Sequence, residues 1–196
     1  MKPASVFRSS VVLLVLMMAA ACATAADKPR IMVLTDIGNE PDDSESMVRF
    51  LLYTNEFDVE GLVATTSTWQ RKVVHPEMIE ERVRAYGRVL PNLKMHASGY
   101  PEMQTLLSLI KTGRSEYGMS GVGAGKDTDA SRLIITAVDR DDARPLWVTL
   151  WGGSVDLAQA LWSVRATRSP SSDHRAASAA SGSARLLLSV LLLSRP

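Results

Sequence analysis

Short apolar runs alternate with amphipathic segments from residue 30 to residue 168, which is the pattern of an α/β protein. Buried strands are predicted from the continuous apolar runs at 30–34, 57–65 and 146–151. Apolar positions at helical spacing predict helices at 44–53, 76–90, 101–112, 129–139 and 154–164. Pro91 is expected to end the second helix and Gly113 to cap the third. Because strands alternate with helices, we predict a doubly wound, mostly parallel sheet that is incomplete at its C-terminal side.

The first 25 residues have the pattern of a secretory signal peptide and not of the domain. Lys2 and Arg8 precede an apolar run at 11–21, and the small residues at 23–25 suit cleavage. We therefore expect an exported protein, periplasmic or secreted. Cys22 leaves an alternative open, a lipoprotein anchored to a membrane through that residue. The apolar run itself is shorter than the roughly 20 residues that a membrane span needs.

Residues 169–196 differ in composition from the domain predicted at 27–168. They are almost wholly Ser, Ala, Leu and Arg, and no regular period appears before the apolar run at 186–193. Our hypothesis is a non-native tail created by a shift of the coding frame near Ser169, and the alternative is a disordered secretory tail. A truncated chain without stable function is a further possibility. An uninterrupted native frame through this junction would reject the hypothesis.

Composition argues against a surface for polyanions. The chain is 46% hydrophobic and 22% charged, its formal net charge is +1, and its basic residues form no stripe. Nucleic acid is therefore not an expected partner. The oligomeric state is not indicated by the sequence.

Four carboxylates crowd the turn that follows the first predicted strand. Asp36 ends the strand, Glu40 lies in the loop, and Asp42 and Asp43 open the next helix. Ligands of open α/β sheets bind at the carboxyl ends of strands. A hard divalent cation such as Ca²⁺ would cancel the repulsion between such acids and prefers their oxygen atoms. The alternative is that Asp42 and Asp43 only favour a helix N-terminus while Asp36 caps a turn.

Aromatic and glycine-rich segments offer further candidates. Trp69 and Trp151 lie at strand ends and could line a pocket, whereas Trp147 and Trp162 are more simply read as core. The stretch at 121–128 fails as a phosphate-binding loop, because its glycine spacing is one residue short and an acid follows the lysine. We interpret it as a loop near the carboxyl edge of the sheet.

Asp36-x-Gly38 followed by Asp42-Asp43 resembles the N-terminal signature of the nucleoside hydrolases, Asp-x-Asp-Pro-Gly-x-Asp-Asp. The loop is two residues longer here, and Ile37 stands in place of proline. More of the chain resembles the nucleoside-hydrolase-like domain of bacterial secreted proteins labelled cellulose-binding. The supporting blocks lie at 35–43, 49–53, 61–69, 125–127, 144–148 and 151–153. This resemblance covers residues 30 to 168.

The resemblance implies that Asp36 and Asp43 hold calcium and that Asp42 orients or deprotonates the attacking water. It also implies that the main-chain carbonyl of Ser154 binds the metal and that Thr68 replaces a ribose-binding Asn. The hydrolases complete their calcium shell with an Asp near the C-terminus, and nothing after residue 169 matches its surroundings.

The implied reaction is hydrolysis of an N-glycosidic ribosyl bond by metal-activated water, on a small-molecule nucleoside or glycan. Truncation could leave this form inactive. Candidate substrate contacts besides Thr68 are Asn39, Glu40, Trp69, Lys126 and Trp151. The alternative function is a secreted carbohydrate-binding, cellulose-binding protein that uses the same cleft without catalysis.

Overall fold

The fold is built on a parallel sheet, seen in a computed structural model that describes residues 28–168 and the backbone of residues 186–190. The strands are β1 (Arg30–Thr35), β2 (Asp58–Ala64), β3 (Ile110–Thr112), β4 (Leu146–Leu150) and β5 (Leu186–Val190). Their order across the sheet is β3-β2-β1-β4-β5, and every neighbouring pair runs parallel. The helices are α1 (Pro41–Leu52), α2 (Pro76–His96), α3 (Met103–Ser108), α4 (Asp129–Val138) and α5 (Val155–Thr167). The predicted doubly wound, mostly parallel α/β class is confirmed.

Helices cover both faces of the sheet, so the core has two parts. Along β1, the side chain of Val33 faces the cluster formed with α1, α2 and α3, whereas Met32 and Leu34 face the cluster formed with α4 and α5. This alternation follows from the two-residue period of a strand. Since both faces are covered, β1 reads as the continuous apolar run that predicted it.

The sequence predicted that Pro91 ends α2, but Pro91 lies inside this helix. A proline removes one helical hydrogen bond and crowds the carbonyl four residues before it. Here the helix continues because Leu90 is buried and Leu93 packs against the same core. The final bond runs from the amide of Ala97 to the carbonyl of Leu93 at 3.1 Å. Burial of apolar side chains on both sides of the proline therefore outweighs the lost bond.

The helix predicted at 101–112 is shorter, because α3 ends at Ser108 and residues 110–112 form strand β3. Ile110 lies opposite Leu62, so β3 pairs with the otherwise open edge of β2. Gly113 continues this pairing by donating its amide to the carbonyl of Ala64 at 2.8 Å. It is not the left-handed helix cap that we predicted. Strand pairing, which depends on residues distant in sequence, has overridden the local helical pattern.

Two tryptophans predicted as core are partly open to solvent. Trp147 and Trp162 are each 38% exposed. Trp147 alternates with the buried Leu146 and Val148, so it points to the opposite face of β4. Their positions inside a strand and a helix were therefore not sufficient to predict that these two tryptophans are buried.

Several predictions concern residues that the structure does not describe. The signal peptide at 1–25 and Cys22 lie outside the described residues, as does most of the segment 169–196. Residues 186–190 pair with β4 in parallel register, with Leu186 opposite Leu146. Within the described chain, no helix combines the length and the apolar character needed to cross a membrane.

Candidate functional site

A cavity of about 220 Å³ opens at the carboxyl ends of β1, β2 and β4. It lies at the carboxyl end of the central strand β1, between the loops that follow β2 and β4. This is the usual ligand position in open α/β sheets. Four loops supply its walls, and the residues that line it are Asp36, Asn39, Glu40, Asp42, Asp43, Ser67, Thr68, Trp69, Tyr117, Trp151, Gly152 and Gly153.

Asp36 and Asp43 meet at the base of this cavity. Their side chains are only 5% and 8% exposed. The pKa of Asp43 is raised to about 8, first by burial, then by its hydrogen bond to the Asp36 carboxylate and by the negative charge of that group. A hydrogen bond from Thr35 opposes the shift, and the charge of Asp42 adds to it. Two like carboxylates at close range share a proton when no cation is present.

The acidic loop is held by main-chain bonds and by one residue with unusual backbone geometry. The amide of Asn39 donates to the carbonyl of Asp36 at 3.2 Å, which closes a turn. Gly38 has a φ of 103°, and a Cβ atom there would lie 2.8 Å from the ring of His75. Glycine is required because the conformation is left-handed and His75, at the start of α2, leaves no room. His75 therefore packs beneath the loop and does not line the cavity.

Asp42 lines the cavity and also lies in the first turn of α1. Its Oδ1 accepts the amide of Asp43 at 3.0 Å, in the first turn of α1 after Pro41. An acid in this position is favoured by the helix dipole, as the alternative reading held. Asp42 can therefore stabilise the start of the helix and also contact a bound ligand.

Gly152 and Gly153 line the cavity next to Asp36 and the end of β2. A Cβ atom on Gly152 would lie 2.8 Å from both the Cβ atom and the main-chain nitrogen of Asp36. A Cβ atom on Gly153 would lie 2.3 Å from the carbonyl oxygen of Thr66. The same carbonyl accepts the amide of Gly153 at 2.8 Å. The main chain after β4 can approach β1 and β2 this closely only because side chains are missing.

The rim is formed by a tight turn after β2. Ser67 closes it, since its Oγ accepts the amides of Trp69 and Gln70 at 3.1 and 3.0 Å. Gln70 is buried and donates its side-chain amide to the carbonyl of Asp36 at 3.3 Å, which ties the rim to the acidic loop. Trp69 stands at the tip of the turn and is 80% exposed. An indole this open is available to stack on a ligand.

Most of the predicted site residues line the cavity, but two do not. Ser154 lines a neighbouring apolar groove, and its carbonyl accepts the amide of Ala158 at 2.8 Å in the first turn of α5. Lys126 turns away and donates to the carbonyl of Ser120. The functional roles assigned to the predicted residues remain predictions.

Three contributors were missed by the sequence reading. Ser67 directly follows β2, so its place at a strand end was a usable signal. Tyr117 lies in the long loop after β3, where no periodic pattern indicates which side chain turns inward. Asp156, fully buried in α5, fastens the same loop from below. Its acidic identity at an apolar helical position was the available signal.

The acidic pair alone would supply only part of a metal shell. Among the residues that the structure describes, no three His, Cys, Asp or Glu side chains gather to hold a metal ion. The donor chemistry of Asp36 and Asp43 nevertheless fits a hard divalent cation, because a positive charge would offset both the burial of these carboxylates and the repulsion between them. Thr66 Oγ1, at the end of β2, is buried without a hydrogen-bond partner in the described chain. Main-chain or ligand oxygens would have to supply the remaining contacts.

The fold and this acidic cleft define a nucleoside-hydrolase-like α/β domain. The family model described as "Cellulose-binding Sde182, nucleoside hydrolase-like domain" matches residues 30–183, and the chain belongs to this family. The match confirms the resemblance and reaches past residue 168, where the domain boundary remains a prediction.

A solved structure of the same kind comes from Saccharophagus degradans. It is described as a nucleoside hydrolase-related hypothetical protein that is associated with carbohydrate metabolism, and it is 44% identical with a TM-score of 0.72. The similarity covers 74% of the present chain and 35% of that relative, so the chain spans about a third of its length. A comparison with curated proteins found no match.

Proposed function

We propose that the cleft binds a carbohydrate, and that Asp36 and Asp43 hold Ca²⁺ at its base. The observation that carries this proposal is the meeting of two buried carboxylates in the cavity that the exposed indole of Trp69 also lines. The cellulose-binding description of the family supports a carbohydrate ligand. Export directed by the predicted signal at 1–25 would bring the domain to polysaccharide outside the cytoplasm.

The lining of the cleft suits a sugar in two ways. Asn39 and Glu40 present amide and carboxylate groups that can bond ring hydroxyls. Trp69 and Trp151 present indole surfaces against which the apolar face of a sugar ring can pack. A calcium ion would add direct coordination of sugar hydroxyls and would lower the pKa of a bound water. This division into charged base and aromatic rim favours a neutral glycoside over an anion.

A second candidate function is hydrolysis of an N-glycosidic bond. Asp42 supports it, because this carboxylate lines the cavity beside the proposed metal ligands and could orient or deprotonate a water. One water-activating carboxylate is sufficient for such a reaction, whereas ordinary glycosidases place two carboxyls on opposite sides of the bond. The nucleoside-hydrolase-like description of the family also favours it.

Calorimetric titration of the full chain with cellotetraose, with calcium or with a chelator, tests the first function. We expect calcium-dependent binding that Asp36→Asn or Asp43→Asn weakens about tenfold or more, since a charged contact is lost. Asp129→Asn is the control, because Asp129 is exposed and does not line the cleft. Equal binding by the cleft variants and the control would refute the proposal.

Release of base and ribose from a panel of ribonucleosides tests the second function. Hydrolysis should need calcium and should be abolished by Asp42→Asn, while cellotetraose binding by that variant persists. No release under any condition would remove the catalytic candidate and leave the binding proposal standing.

A further inference from the structure

Arg71 joins two walls of the cleft that are distant in sequence. Its Nε donates to the carbonyl of Thr68 at 2.9 Å, within the rim turn. Its Cζ lies 5.2 Å from the ring centroid of Tyr117, in the loop after β3. The amide of Tyr117 in turn donates to the carbonyl of Arg71 at 3.1 Å. Thr68 and Tyr117 both line the cavity, and Arg71 itself stands outside it.

These contacts are of a different kind from those of an ordinary surface arginine. Arg132, for example, pairs with the exposed carboxylate of Asp129 one helical turn away. Arg71 instead uses its planar group on a carbonyl and on the face of an aromatic ring, where a cation is attracted by the ring quadrupole. A local surface pair stabilises one helix, whereas the contacts of Arg71 connect separate loops.

Fixing these loops matters for binding. The rim turn is attached to the acidic loop through Gln70, but the described contacts between the rim and Tyr117 run through Arg71. Without the side-chain contacts of Arg71, the link would rest on the main-chain bond from Tyr117 to the Arg71 carbonyl; the Tyr117 loop would then move more freely relative to Thr68, and ligand binding would have to restrict this motion. A preorganised pair of walls avoids that cost.

We propose that Arg71 is a positioning residue for ligand binding, which holds Thr68 and Tyr117 at a fixed separation across the mouth of the cleft. Its effect on affinity rests on the proposed carbohydrate-binding function. Its effect on the loops does not, so the two ideas can be tested apart.

Hydrogen–deuterium exchange on the ligand-free full chain tests the loops. Arg71→Met should speed exchange in both segments, 67–71 and 115–121, while Arg132→Met leaves both unchanged. Faster exchange in neither segment, or in the rim turn alone, would overturn the proposal, because Arg71 would then not join the two walls.

Calorimetric titration with cellotetraose and calcium tests the consequence. Arg71→Met should raise the Kd about fivefold while Tm stays near that of Arg132→Met, and Arg71→Lys should recover part of the affinity by keeping the charge. Combining Arg71→Met with Tyr117→Leu should add little to the effect of Tyr117→Leu alone, because both variants remove the contact between the arginine and the tyrosine ring. Additive losses would overturn the proposal.

The outcomes separate the two ideas. Wild-type binding with unchanged affinity in Arg71→Met would reject the positioning residue and keep the binding function. If the wild type binds no cellotetraose, the proposed ligand is wrong, and the exchange measurement alone decides the part of Arg71.

Discussion

The hydroxyl of Thr128 donates a hydrogen bond to the carboxylate of Asp156 at 2.7 Å and so joins the start of α4 to the first turn of α5. Asp156 also accepts the hydroxyl of Thr65 at 2.9 Å and the amide of Arg114 at 3.0 Å. Burial raises the pKa of Asp156, and these donors oppose the shift. Both ends of the loop that carries Tyr117 are therefore fastened to one buried carboxylate.

Replacing Asp156 with alanine should destabilise the chain by about 3 kcal/mol, because the buried hydroxyl of Thr65 and two partly buried donors would lose their acceptor. Asp156→Asn keeps an oxygen acceptor and should cost less. Asp129→Ala, at an exposed position, should change stability by no more than about 0.5 kcal/mol. Urea unfolding of the three variants provides the measurement, and equal effects at positions 156 and 129 would contradict this account.

Stability of the metal-free chain should depend on pH through Asp43. Its carboxyl has a pKa of about 8 when folded, against an ordinary value of 3.8, so the folded state binds the proton more tightly. The stabilising contribution is complete below about pH 4 and is lost as the pH rises through 8. With a chelator present, Tm should therefore fall from pH 5 to pH 9. Asp43→Asn should flatten this slope, and parallel curves for the two proteins would argue against a shared proton.

Trp69→Ala should weaken cellotetraose binding about tenfold, as expected when an aromatic contact at a binding surface is removed. Stability should hardly change, because Trp69 is 80% exposed. The matched control is Trp162→Ala, a half-exposed tryptophan on α5 that does not line the cleft. We expect that variant to keep its affinity. Titration and thermal melting of both proteins distinguish a ligand contact from a packing effect.

Pro91→Ala should stabilise the chain by about 1 kcal/mol, since alanine restores a helical amide inside α2 and proline is the poorest residue there. The gain is partly offset because proline also restricts the unfolded chain. Pro76→Ala is the control at the first turn of the same helix, where proline is favourable, and it should not stabilise. Thermal melting that ranks the two variants in the reverse order would show that the helix is not strained at Pro91.

The sequence predicted β1, β2 and β4 because strands covered on both faces leave continuous apolar runs. It also predicted the loop that brings Asp36 and Asp43 together, since strand ends in such sheets converge. Local patterns could not predict β3, because its pairing with β2 depends on a partner far away in the chain. They also could not predict the position of Tyr117, which is set by long-range contacts to Arg71.

Gly152 and Gly153 place bare main chain against Asp36 and Thr66, so any larger residue at either position would collide with backbone atoms. Trp69, at the tip of the rim turn, projects into open solvent and is under no such steric limit. Homologous proteins that prefer different ligands should therefore diverge at the mouth and keep the same base. An engineer who wishes to retarget this domain would randomise the outer turn and leave the diglycine untouched.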